Sequence, residues 1–192
     1  MPAFVTVTFV FFWVGMIAQE FLAPWIVSTP SGNVEVSCLL PWVFFFSLAL
    51  AVPYPLMLVF AGLTGFIWDA RWQVPGDIPD LPLGSSIILF TVFGTLLQGI
   101  RPLFRRGNWV VPVVMCGLAV FLQLLSQDLL LSFRRSGFEF SGELWLTMLL
   151  TSVVSTALSP ALFWLNSRVA RRCGYQLEVG QFTFRRTYGQ SI

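Results

Sequence analysis

Three acids stand where an apolar chain has little room for charge. Glu20, Asp69 and Asp128 each fall near the end of a long apolar run. An ionised carboxylate deep in a bilayer costs ~3 kcal/mol even on insertion scales, so such a group faces protein or water and takes a partner. Arg71 follows Asp69, and Arg134 and Arg135 follow Asp128, so candidate partners are close in sequence. Gln127 adjoins Asp128, and Gln123 lies one helical turn earlier on the same face as Gln127. Glu20, Asp69, Gln127 and Asp128 are therefore a candidate polar cluster toward one membrane surface. Two readings are open. The cluster is a polar pocket or contact site, or each acid reaches the headgroup boundary while the glutamines bond between helices.

Little else is equipped for chemistry. All eleven basic residues are Arg and there is no His, which removes the commonest general base and zinc ligand. Cys38, Cys116 and Cys173 are far apart and match no metal spacing or disulfide framework. No Ser or Cys has a His partner, and no glycine loop follows a strand to cradle phosphate. A non-enzymatic protein without cofactor or metal is the expectation. An intramembrane enzyme with Asp69 or Asp128 as its acid is the outlying possibility.

The elements that must carry these residues are membrane spans. Apolar residues make up 56% of the 192-residue chain and charged ones 10%, too few polar groups to cover a soluble core holding 20 Phe and 8 Trp. A spanning helix takes ~20 apolar residues. The expected fold is all-α: a six-helix transmembrane bundle over residues 1–175, then a cytoplasmic tail, 176–192. The expected spans are 4–27, 36–52, 55–68, 83–100, 109–133 and 144–165. The first run is too long for a signal-peptide core and is read as an uncleaved span. Residues 28–33 read as a polar turn, and Pro53 and Pro55 as the break between the second and third spans. The third span is short, about 14 residues.

Arginine placement orients the bundle. One side receives the Arg101–Arg106 turn and the C-terminal tail, eight Arg in all. The other receives Arg71, Arg134 and Arg135 among Glu35, Asp77, Asp80, Glu139 and Glu143. The positive-inside rule puts both ends in the cytoplasm and the three span-end acids outward. At ~1.5 Å per residue, Asp128 lies roughly 28 Å past Trp109 and Glu20 roughly 24 Å past Phe4. Small residues mark helix contacts: Ala61 with Gly65, Ser152 with Thr156, and Ser155 with Ser159.

The stretch from Pro55 to Gly84 carries a family likeness. Gly62-x2-Gly65-x3-Asp69, a proline-bearing loop, and Pro82-Leu83-Gly84 opening the next helix resemble the bacterial rod shape-determining protein MreD family. Pro160-Ala161-Leu162 through Arg168, Arg171 and Arg172 is similar to that family's last helix and basic tail. This chain departs in a longer, proline-richer loop between Asp69 and Gly84. The resemblance implies a non-enzymatic inner-membrane scaffold of the cell-elongation complex. Its implied partners are an MreC-like membrane protein, an MreB-like cytoskeletal protein, a RodA-like polymerase and an elongation penicillin-binding transpeptidase. It places partner contacts on Gly62, Gly65, Asp69 and Gly84. It also implies an architecture like the substrate-binding S component of energy-coupling-factor vitamin transporters, which supplies the rival function. The bulky start, Phe4-Val5-Thr6-Val7-Thr8-Phe9, speaks against that rival, whose docking face would need small residues.

Overall fold

A computed structural model describes residues 2–29, 32–71, 82–100, 110–135 and 141–174. The Asp77 and Asp80 loop, the Arg101–Arg106 turn, Glu139 and the tail from Gln176 lie outside the described residues. The described chain forms six helices: α1 (Pro2–Phe21), α2 (Leu40–Ala51), α3 (Tyr54–Arg71), α4 (Ser85–Ile100), α5 (Val110–Arg135) and α6 (Gly142–Arg172). An antiparallel hairpin, β1 (Trp25–Thr29) and β2 (Gly32–Val36), separates α1 from α2. By length and composition α1, α5 and α6 could cross a membrane; α2 and α4 are apolar but shorter.

The hairpin corrects the expected first span, and Ser28, Thr29, Gly32 and Asn33 of the expected turn are its outermost paired residues. Apolar character runs on to Val27, but the helix stops at Phe21. Pro24 cannot donate to a continuing helix and disfavours helical backbone at Ala23. Beyond it, Trp25-Ile26-Val27 is aromatic and β-branched, which suits a strand. In β2 the burial alternates: Val34 and Val36 are buried while Asn33 and Glu35 are exposed. That period of two is the strand's own signature.

The second span is also shorter than expected, because Val36 belongs to β2 and the helix begins at Leu40. Pro41 sits in the first turn of α2, where its missing N–H costs nothing. Val52, forced to extended backbone by Pro53, ends it at φ −108° and ψ 161°. Every residue from Pro41 to Ala51 is buried, and α2 packs against all five other helices. Twelve residues reach only ~18 Å, against a hydrocarbon core of ~30 Å. The helix is the axle of the bundle, and its flanks continue in extended chain.

Three helices run past their expected ends, α5 by two residues to Arg135. α3 continues through Asp69 to Arg71, giving 18 residues. α6 has 31 residues and takes in Arg168, Arg171 and Arg172. Pro160 inside α6 has no N–H for the Thr156 carbonyl one turn back. The Ser159 hydroxyl donates to that carbonyl instead, at 2.9 Å. The core at the upper end of α2 is aromatic: Trp42 meets Trp68 at 5.2 Å and Phe90 at 5.8 Å, both edge-on. Phe90 also meets Phe45 at 5.0 Å.

Candidate functional site

A helix leaves four N–H and four C=O groups without partners at its two ends. In a chain this apolar, those groups are where polar side chains have most effect. α2 has no side-chain cap of its own at Leu39. Its N–H groups are met from other helices instead. Gln19 of α1 accepts from Leu40 N–H at 3.0 Å, and Ser155 of α6 accepts from Leu39 N–H at 3.3 Å. Thr151 of α6 accepts from Ser37 N–H at 3.4 Å, so the extended chain entering α2 is also satisfied. At the other end Gln98 of α4 donates to the carbonyls of Ala49 and Val52, each at 2.7 Å. Midway, Asn166 of α6 donates to Ser47 at 3.0 Å, and Ser47 donates to Phe44 C=O at 2.8 Å.

The same principle governs the α3–α4 junction. Asp69, 7% exposed, accepts on one carboxylate oxygen from Gly84 N–H at 2.7 Å and Ser86 N–H at 3.2 Å. A carboxylate at a helix N-terminus meets both unsatisfied donors and the positive end of the dipole. Gly84 has φ +100°, a backbone that side chains rarely adopt. Gly65, one turn before Asp69, lets α4 approach: a Cβ there would lie 2.5 Å from Ile87 N and Cα. Gly62 differs, since nothing lies within 4 Å of where its Cβ would stand. Three of the four residues singled out for partner contact thus form one internal clamp, and the fourth faces open space.

The expected polar cluster is partly assembled. Gln127 donates to the Ser86 hydroxyl at 3.3 Å, so Asp69, Ser86 and Gln127 are contiguous. Glu20 is not in that group. It forms a two-point pair with Arg71, at 2.8 and 2.9 Å, which ties the end of α1 to the end of α3. Arg71 also lies over the Trp68 ring, 5.7 Å from its centroid. Asp128 is half-buried beside Gln127. The expected small-residue contacts on α6 are internal as well: Ser152 donates to Gly117 C=O of α5 at 2.8 Å, and Thr156 faces Gly117 where a side chain would stand.

Six buried side-chain atoms among the described residues lack a partner: Thr8 Oγ1, Trp42 Nε1, Thr64 Oγ1, Ser85 Oγ and both amide ends of Gln123. All but Thr8 belong to α2, α3, α4 and α5. Gln123 is fully buried one turn below Gln127, and Trp42 is fully buried against Trp68 and Phe90. Among the described residues no three His, Cys, Asp or Glu side chains are grouped to hold a metal ion.

The sequence marks Ser155 only as a small helix-contact residue and does not single out Gln19 or Gln98. A lone glutamine near the end of an apolar helix was their signal, but its target lies on another helix. Comparison with known proteins supplies no relative: no family model, curated protein or solved structure matches this chain.

Proposed function

We propose that this chain is a six-span protein of the bacterial inner membrane, with both ends in the cytoplasm. In this reading it is a non-enzymatic, MreD-like scaffold of the cell-elongation complex, supporting cell shape and lateral peptidoglycan synthesis. Eight Arg on one side of the six-span arrangement support the orientation. The second crossing combines short α2 with the extended chain before it. Irregular backbone is tolerated at membrane depth where protein encloses and satisfies it, and Thr151 and Ser155 do so here.

The observation that carries the family reading is the junction of Gly65, Asp69 and Gly84. These three of the residues on which the MreD resemblance rests are separated in sequence, yet they act as one physical unit that joins α3 to α4. A rigid pair of helices with an open position at Gly62 suits a surface that holds a partner helix. The proposed partners are an MreC-like protein first, then MreB-like, RodA-like and elongation transpeptidase components. The test is co-purification with an MreC-like protein after Gly62→Leu. Loss of the partner with a normally folded scaffold is expected; undiminished co-purification removes this face of α3 from the proposal.

One observation favours a second reading, a vitamin-transporter S component. The buried, unpartnered amide of Gln123 is the kind of group that a small polar ligand satisfies. Thermal stabilisation of the purified protein by one member of a vitamin panel would support that reading. An unshifted melting profile across the panel leaves the scaffold.

A further inference from the structure

The hairpin carries an apolar surface that the bundle does not cover. Phe21 is 84% exposed, Trp25 57% and Ile26 65%, and Leu22 and Val27 are exposed beside them. These residues continue an exposed stripe of α1 through Val10, Val14 and Ile17. The spacing of that stripe is helical, so it occupies one face of a helix apolar enough to cross a membrane.

The hairpin's depth follows from its attachments. α1 ends at Phe21, and Gln19 is bonded to the first turn of α2, so both strands start from the level of Gln19 and Leu40, with β2 packed against α6. At ~3.3 Å per residue, five-residue strands reach about 17 Å from that level. Polarity changes along this length. The cross-strand pair nearest the bundle is Trp25 with Val36, then Ile26 with Glu35. Further out Ser28 pairs with Asn33, and their side chains are hydrogen-bonded at 3.1 Å. The face holding Val34 and Val36 is buried on the β2 side, while Trp25 and Val27, on the same face, project past it.

We infer that the base of the hairpin, Phe21 to Ile26, is a lipid anchor. It seats in the headgroup and upper acyl zone of the outer leaflet and fixes the depth of the bundle's outer end. An amphipathic Trp beside aliphatic residues suits that zone, where apolar side chains enter ~5–10 Å. Continuity with the exposed stripe of α1 selects lipid over a protein partner as the occupant. The inference rests on the membrane-spanning reading of α1 and not on the scaffold role.

The test uses full-length protein in vesicles of phosphatidylethanolamine and phosphatidylglycerol. In a Cys173→Ser background, a nitroxide is attached at Trp25→Cys, Ile26→Cys, Ser28→Cys or Val14→Cys. Each label is then relaxed by oxygen, which partitions into lipid, and by a water-soluble nickel chelate. Labels at 25 and 26 are expected to favour oxygen several-fold over the chelate, and the label at 28 the chelate. Position 14 should show the strongest oxygen preference. Chelate access at 25 and 26 equal to that at 28, with 14 still in lipid, overturns the anchor and leaves the span intact. Chelate access at 14 overturns both. Protection of 25 and 26 from both reagents shows a protein partner or second copy over the hairpin, and also overturns the proposal. Agreement between 25 and 26, which point to opposite faces of β1, excludes misfolding of a single variant as the cause.

Discussion

α1 and α2 are both strongly apolar, and they are built for opposite surroundings. α1 has twenty residues and shows Val10, Trp13, Val14 and Ile17 on its outside. α2 has twelve residues, is buried from Pro41 to Ala51, and has its end groups bonded to Gln19, Ser155 and Gln98 from three other helices. Lipid-facing and core-facing helices cannot be told apart by apolarity, because lipid and protein interior are similar solvents for side chains. They differ in where their backbone ends find partners. A long helix carries its ends to the polar surface, whereas a short enclosed one takes caps from its neighbours.

Substitutions can break that contrast, beginning with the closest packing. Gly65→Leu drives a side chain into the backbone of α4 at Ile87 and should cost about 3 kcal/mol. Unfolding in mixed micelles of rising dodecyl sulfate reads the loss. Gly62→Leu, three residues away with open space around it, should leave the same curve in place. Gln98→Leu withdraws a donor from the carbonyls of Ala49 and Val52 at the buried end of α2, and about 2 kcal/mol should go with it. A wild-type curve for this variant would mean that α2 does not depend on borrowed caps.

Asp69→Asn keeps an acceptor for Gly84 and Ser86 but removes the charge. The expected loss is smaller, about 1 kcal/mol, since hydrogen bonds to charged groups are the stronger kind. Hydrogen exchange at the Gly84 and Ser86 amides should quicken in this variant while α2 amides stay protected. The smallest effect belongs to the outside of α1. Ile17→Ala changes only the exposed stripe and should move the unfolding curve by less than ~0.5 kcal/mol. A large shift there would show Ile17 packed against protein.

The number of helices was legible because runs of apolar residues broken by prolines and charged turns are a strong signal. Their limits were less so. Trp25-Ile26-Val27 extends the apolar run of α1, and the signs of a hairpin are Pro24, the polar residues around 28–33 and the alternation at Asn33 to Val36. The Asp69–Gly84 link was visible as a pattern, but not as a cap, since its meaning depends on how close Gly65 brings α4. Gln98 and Ser155 act on α2 from distant parts of the chain, 49 and 116 residues from the groups they meet. Linear spacing carries no record of such pairs.

The native cysteines test the enclosed α2 and the proposed orientation together. Cys38 sits at the entrance to α2 and is buried, Cys116 is buried against Val43, and Cys173 is half-buried at the end of α6. The measurement is maleimide labelling of the unmodified protein in sealed inner-membrane vesicles of known sidedness, with membrane-permeant and impermeant reagents. Cys173 alone should react, and with the impermeant reagent only from the cytoplasmic face. Labelling of Cys38 or Cys116 in the native membrane, or of Cys173 from the opposite face, would contradict it.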